Sequence, residues 1–334
     1  MARHPTMTIS PKAFQTLPQG RGMGLVKEFD RESPFCFRYC LEDEKLRASI
    51  RKFGILVPVV VARAKRPVVV AGHRRLAAAR ALKMKEVPVR ILEKIEPREA
   101  FFLNLVSNWN QGFSEMDRVQ ALRMAARGFH FNENEILSVV MPLLGLPEDK
   151  AALELYRQAD SLSPFFKDFV EQRRLSLRGV LPFLKFPKSD QDYFAREIVT
   201  KVKLTSSQLS QTGEWLRDIL KRTGQGLSEI CKAQGLLAKM NTRGMDPRMK
   251  ADLFFARVRK LRFPGHSLYL ETFEKRRADI LRDAKEFRLE PVQGFEEPGF
   301  ELCARVRNPA ELERLFQKIS LKHSLLNSLF EIAL

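Results

Sequence analysis

The stretch Val68-Val-Val-Ala-Gly-His-Arg-Arg-Leu-Ala-Ala-Ala-Arg-Ala-Leu82 constrains this chain more than any other. A β-branched run stops at Gly72, and a helical pattern starts at once with Arg74 and Arg75 in its first turn. A strand entering a helix through a glycine gathers backbone N–H groups without intrahelical partners, and the positive end of the helix dipole, at one spot. The two arginines add full charges there, and the glycine allows close approach to the backbone. Two readings fit: a phosphate-binding turn, or a plain β-to-α connection whose arginines face water. One glycine with basic neighbours does not separate them.

Charge bears on that choice. Lys and Arg number 58 against 40 Asp and Glu, a net charge of +18. Such an excess favours a polyanion, held by counterion release on nucleic acid or by attraction to anionic lipid. No stretch approaches the ~20 apolar residues that span a bilayer, so nucleic acid is the expected partner and no membrane is. The opening Met1-Ala-Arg-His-Pro lacks the apolar core of a signal peptide. The expectation is a cytoplasmic, nucleoid-associated protein. Cys36, Cys40, Cys231 and Cys303 are scattered without a second metal-ligand pair, so reduced structural thiols are expected rather than zinc.

Periodicity and punctuation predict an α+β chain in three folded parts. Residues 1–28, broken by Pro5, Pro11, Pro18, Gly20, Gly22 and Gly24, read as a flexible tail. A helix Leu41–Phe53 closed by Gly54 leads into a buried strand Ile55–Ala62, interrupted by Pro58. With the Val68–Ala71 strand, the Gly72 turn, its helix and a strand at Val87–Leu92, residues 29–95 make a small α/β domain.

Residues 96–240 read as all-helical. A helix ends near Asn108, and Ser114-Glu-Met-Asp117 is a capping box. Helices Asn134–Leu144 and Asp149–Arg157, joined by a short glycine-containing turn, have the pattern of a helix-turn-helix. Helices Pro164–Gln172, Leu177–Phe183, Gln191–Lys201 and Ser206–Lys221 follow. Residues 246–334 differ in kind: basic helices Pro247–Leu261 and His266–Lys285, an alternating strand Phe300–Val306, and an apolar stripe through Leu312, Leu315, Phe316 and Ile319. They make a small α+β domain. Leu326, Leu329, Phe330 and Ala333 share a face that serves either its own core or a dimer interface.

The second helix of the helix-turn-helix brings Glu148 and Asp149 toward DNA, where they repel phosphates or accept a bond from a cytosine amine. Lys150, Arg173, Arg174, Arg178, Lys185 and Lys188 are the candidate backbone contacts. Their alternative is a solvated basic face.

Several of these signals together resemble ParB-type chromosome and plasmid partition proteins over about residues 35–215. They are Ser49-Ile-Arg-Lys-Phe-Gly-Ile-Leu-Val-Pro58, Gly72-His-Arg-Arg-Leu-Ala-Ala-Ala79, Val87-Pro-Val-Arg-Ile, Leu105-Val-Ser-Asn-Trp-Asn-Gln111 and Phe113-Ser-Glu-Met-Asp117. Leu162-Ser-Pro-Phe, Arg174-Leu-Ser-Leu-Arg178 and Leu204-Thr-Ser-Ser-Gln208 continue the likeness. The resemblance implies a ParB/sulfiredoxin-like N-terminal domain in a homodimeric clamp. Such a clamp loads on a centromere-like site in double-stranded DNA, holds CTP with Mg²⁺, and hydrolyses slowly. A ParA-type ATPase and a condensin-type complex are the partners it implies. Gly72, His73, Arg74 and Arg75 fall on the family's Gly-Glu-Arg-Arg phosphate motif, Pro58 near the base and ribose, and Ser107 and Asn108 on the Glu-Asn pair that helps hold the metal.

The departures set limits. His73 replaces a Glu, Ser107 a carboxylate and Gln111 an Arg. A Mg²⁺ site short of a carboxylate is weak, so nucleotide binding is expected to outlast turnover, with a slow CTPase at most. The rival reading is a nucleotide-independent DNA-binding adaptor or transcription regulator on the same scaffold. Sulfiredoxins and free-serine kinases share the small α/β unit. The first needs a Cys where Gly72 stands, and the second a carboxylate base near the turn.

Overall fold

A strand opens the described structure where glycine-broken sequence gives no sign of one. The structure is a computed structural model, and it describes residues 19–30, 32–241, 244–282, 287–292 and 299–330. β1 (Gln19–Leu25) pairs antiparallel with a strand 60 residues further on, from Gln19 opposite Leu92 to Leu25 opposite Glu86. Gly24 is why it fits: a Cβ there would lie 2.6 Å from the Phe29 ring. The tail expectation is thus corrected for residues 19–28, because cross-strand pairing outweighs local propensity. Residues 1–18 lie outside the described part.

The sheet order is β1-β4-β2-β3, with β2 (Val59–Ala62), β3 (Val68–Ala71) and β4 (Glu86–Leu92). β2 runs parallel to β4 and antiparallel to β3, with a register shift at Val60/Val61. α1 (Glu44–Phe53) precedes the sheet; Asp43 caps it by accepting from the Leu46 N–H, and Gly54 closes it at φ 72°. α2 (His73–Ala81) links β3 to β4. Val26, Phe29, Val59, Val61, Val69, Leu76, Ala79, Val87 and Val89 form the core of this layer. The predicted strand at Ile55–Ala62 begins only at Val59; Leu56 and Val57 are 79% and 63% exposed. Pro58 has no N–H for the ladder, and the carbonyls of Val57 and Pro58 accept from Arg75 instead.

Helices then take over: α3 (Pro97–Asn108), α4 (Glu115–Arg123) with a π turn to Gly128, α5 (Glu133–Glu135) running through a π turn into α6 (Met141–Leu143), and α7 (Lys150–Asp160). The turn between α6 and α7 holds Gly145 at φ 67°. α8 (Pro164–Arg173), α9 (Leu177–Val180), α10 (Lys188–Tyr193), α11 (Ser206–Thr223) and α12 (Leu227–Ala233) follow. The Ser114/Asp117 capping box is present at α4. Phenylalanines carry much of the helical core, with Phe101 stacked 4.7 Å from Phe129 and Phe183 4.5 Å from Phe194.

The chain divides into two compact units, one reaching Arg217 and including 226–228, the other taking 218–225 and the chain from Glu229. The second contains α13 (Pro247–Arg262), α14 (Pro264–Leu281), the antiparallel hairpin β5 (Phe287–Pro291) and β6 (Phe300–Ala304), α15 (Pro309–Leu321) and α16 (His323–Phe330). Phe273, Ile280, Leu289 and Leu329 form its core cluster. α15 buries no residue, and Phe316 on its apolar stripe is exposed. The end of the predicted helix at Lys285, and Ala333, lie outside the described residues.

Candidate functional site

β3 ends in buried Ala71, and Gly72 follows at φ 98° and ψ 22°. A Cβ at Gly72 would lie 3.1 Å from the Arg75 guanidinium, so conformation and space both call for glycine. No side chain caps α2, and its first ladder bond runs from the Leu76 N–H to the Gly72 carbonyl. The N–H groups of residues 73–75 therefore have no partner within the helix.

The three side chains after Gly72 do different things. His73 is buried, and burial pushes its imidazole down to about pKa 4, with the charges of Arg75, Arg38 and Arg80 adding to the effect against a bond to the Val69 carbonyl. The ring is neutral at pH 7 and turned inward, so what His73 offers at the helix end is its backbone. Arg75 is a strut: its Nη1 donates to the Pro58 carbonyl at 2.6 Å and to the Val57 carbonyl, and desolvation holds its pKa below the usual value. Arg74 donates from Nε to the Cys40 carbonyl at 3.2 Å. No carboxylate lies within ion-pair distance of Arg74 among the described residues.

Arg74 opens on a cavity of about 380 Å³, whose other walls are the Gln111–Arg118 segment and the end of α8 from Val170 to Ser176. At its base lies Arg38, which no local sequence signal marks out. Its side chain is 3% exposed and its Nη1 donates to Asp117 Oδ2 at 2.5 Å and to the Gly112 carbonyl at 2.9 Å. Asp117 Oδ1 also accepts from the Tyr39 N–H at 2.8 Å. Desolvation lowers the Arg38 pKa, and Asp117 opposes that.

Arg38 also settles the state of Asn108. Its Nη2 donates to Asn108 Oδ1 at 3.0 Å, while Asn108 Nδ2 donates to the carbonyl and Oδ1 of Asn104, each at 2.8 Å. The Ser107 hydroxyl donates to the Leu103 carbonyl at 2.6 Å. These residues do not fit Mg²⁺. The ion wants several oxygen donors, yet the one amide oxygen faces a guanidinium, and the Asp117 carboxylate is tied up by that same guanidinium. Among the described residues no group of three His, Cys, Asp or Glu could hold a metal. Trp109 is about half exposed, whereas Phe113 packs 5.6 Å from Phe37, with the Arg38 guanidinium 5.3 Å from its ring.

The candidate DNA contacts stand apart from this network, with one exception. Lys150 faces Glu133 at 3.4 Å. Arg173, Arg178, Lys185 and Lys188 are exposed and form no ion pair among the described residues. Arg174 is the exception, because it lines the cavity; it ends α8 in the left-handed region at φ 50°. Asp149 caps α7 by accepting from the Ala152 N–H at 2.8 Å. No described helix is long and apolar enough to cross a membrane.

Sequence comparison finds relatives of the segment that carries this glycine-entered helix start. Residues 39–109 match the model of the ParB N-terminal domain family. Over that segment the chain is similar to ParB N-terminal domains. It is 25% identical over 171 residues to the probable chromosome-partitioning protein ParB of Vibrio cholerae, covering 50% of this chain and 56% of that one. It is 50% identical over 66 residues to the probable plasmid-partitioning protein ParB of Thermus thermophilus, covering 20% and 22%. The chain thus spans about half of the first relative and a fifth of the second. Among solved structures it is similar to a Pnob8-like ParB-N domain, at 15% identity and TM-score 0.37, covering 73% of this chain and 96% of that. A truncated Caulobacter crescentus ParB complexed with CTP-γS gives 16% identity and TM-score 0.25, covering 54% and 99%.

Proposed function

We propose that this chain is a ParB-like DNA-binding partition protein that takes a nucleoside triphosphate, CTP by family likeness, at the Gly72 turn, closes as a clamp on double-stranded DNA, and hydrolyses weakly or not at all. The observation that carries the nucleotide reading is the start of α2: uncapped, entered through a positive-φ glycine, with Arg74 beside it and no carboxylate paired to it. The N–H groups of residues 73–75 donate to phosphate oxygens, and Arg74 adds a forked, fully charged donor. Arg75 acts one step back, fixing the Val57–Pro58 loop on the base side against the turn. Among the described residues no carboxylate is ion-paired to Arg74 and no group of three acids, His or Cys could hold a metal, so positioning is retained and turnover is poor.

The three-part division, the helix-turn-helix over residues 134–157 and the homodimer belong to this proposal. The exposed stripe on α15 supports a dimer. A ParA-type ATPase and a condensin-type complex come from likeness alone. DNA is held chiefly by backbone contacts from Arg173, Arg178, Lys185 and Lys188. The nucleotide-independent adaptor is the second reading, and the closure of Asn108 by Arg38 favours it.

Calorimetry with CTP, ATP and GTP, with and without Mg²⁺, separates the two. The expected result is heat with CTP in both conditions, and heat with none of the three overturns the nucleotide reading. DNA retention measured at ~50 and ~200 mM salt should fall by several orders of magnitude if several phosphates are contacted. A flat response excludes the DNA half.

A further inference from the structure

The cavity beside Arg74 brings two arginines and a glutamate together. Arg74 enters from the start of α2 and Arg174 from the end of α8, and neither forms an ion pair among the described residues. Between them stands Glu171, close enough to feel both positive charges. One of its carboxylate oxygens, Oε2, is buried without a hydrogen-bond partner. The other acids of the cavity are committed elsewhere. Asp117 is held by Arg38, and Glu115 accepts from the Tyr156 hydroxyl at 2.5 Å and faces Arg118 at 3.5 Å. Arg174 holds a left-handed backbone that glycine or asparagine would adopt at less cost.

We infer that this cavity is a polyphosphate subsite, in which Arg174 and Arg74 grip the distal phosphates of a chain entering from the Gly72 turn, and Glu171 is the internal anion they displace. This rests on the nucleotide reading above and deepens it. Glu171 is half-buried, with the Ser114 hydroxyl as its hydrogen-bond partner and Oε2 left without one, which makes it a poor counterion, and burial holds its carboxyl above the usual carboxylate range. A phosphate chain supplies more acceptor oxygens to the same two arginines and is better matched to their planar forks. The ligand class is a linear polyphosphate or the triphosphate end of a nucleotide. Occupancy would join α2 to the end of α8. It also withdraws Arg174 from the DNA-facing set.

Opposite signs make the test sharp. Inorganic tripolyphosphate is titrated calorimetrically into the full chain and into Arg174→Asn and Glu171→Gln. Asparagine tolerates the left-handed backbone, and glutamine keeps the shape while removing the charge. Arg174→Asn should weaken tripolyphosphate by about tenfold, and Glu171→Gln should tighten it by about threefold. Thermal melts confirm that both variants fold, and Arg174→Gly replaces Arg174→Asn if it does not. Both variants binding within twofold of the parent overturns the inference. So does Arg174→Asn weakening nucleotide-free DNA retention while leaving tripolyphosphate untouched. If the parent binds CTP and Gly72→Ala does not, yet the cavity variants behave as the parent, the subsite fails and the turn survives. If the parent binds neither CTP nor tripolyphosphate, both readings fall.

Discussion

The Gly72 turn and the Ser107–Asn108 end of α3 are the two places where ParB likeness puts nucleotide contacts, and they are built from different material. At the turn the donors are backbone N–H groups, which stay available whatever side chains follow so long as Gly72 keeps its φ of 98°. At the end of α3 the contact depends on side-chain oxygens, and these have been drawn into the protein: Asn108 to Arg38 and Asn104, Ser107 to Leu103. Backbone sites survive sequence drift that abolishes side-chain sites. On the proposed reading, phosphate recognition and metal recognition separate in this chain.

The largest test strikes the closed end. Asp117→Asn leaves the Arg38 charge buried without its counterion and weakens the clasp through Tyr39. Breaking a buried ion pair in this way costs ~3–5 kcal/mol, which is a fall in Tm of about 10 °C for a unit of this size. A melt by circular dichroism reads it, and an unchanged Tm means that Arg38 is not locked to the helices.

The next test strikes the turn from below. The His73 imidazole, held at about pKa 4, lies below its unfolded value of about 6.5. The unfolded chain binds the extra proton first, so stability is full above pH 6.5 and is lost as pH falls toward 4. At ~1.4 kcal/mol per pH unit the loss approaches roughly 3 kcal/mol. His73→Gln should flatten that slope in urea titrations at pH 7, 5.5 and 4.5. A slope equal to the parent's shows that His73 is not the titrating group.

Gly72→Ala probes the open end directly. The left-handed backbone costs an alanine ~1–2 kcal/mol, and its Cβ crowds the Arg75 guanidinium that holds the Pro58 carbonyl, which must shift to make room. A modest loss in denaturant midpoint should accompany a loss of CTP affinity of tenfold or more. Full CTP affinity in this variant would place the nucleotide somewhere other than the turn.

These contrasts also show what a reader of the sequence can reach. The Gly72 turn, the Ser114/Asp117 capping box and the close of α1 at Gly54 each sit within a few residues of their cause. Local rules expose them. β1 was missed because its stability comes from pairing with β4 and from Phe29 filling the space beside Gly24, neither of which leaves a periodicity. Val57 read as buried because its neighbours are β-branched, whereas Pro58 and Arg75 turn that loop outward. Arg38 and Asp117 lie 79 residues apart, so their pairing was invisible. The likeness to ParB proteins pointed to Asn108 but could not show that its amide is taken up by Arg38 and Asn104.

The smallest expected effect decides between the two ends most cleanly. If the turn alone holds phosphate and Asn108 stays with Arg38, CTP affinity measured in EDTA and in millimolar Mg²⁺ should agree within about twofold once the metal's own binding to free CTP is subtracted. A hard divalent ion coordinated by the protein would change it far more, since each bridged phosphate oxygen gains a strong charge-assisted partner. Arg38→Met then sharpens the comparison. The substitution frees Asn108 Oδ1 and releases the Asp117 carboxylate from its ion pair, but Asp117 stays held by the Tyr39 and Ser114 N–H groups, so Mg²⁺ dependence should remain absent in that variant too. Its appearance would mean that Arg38, and not the missing carboxylate at Ser107, had been keeping the metal out.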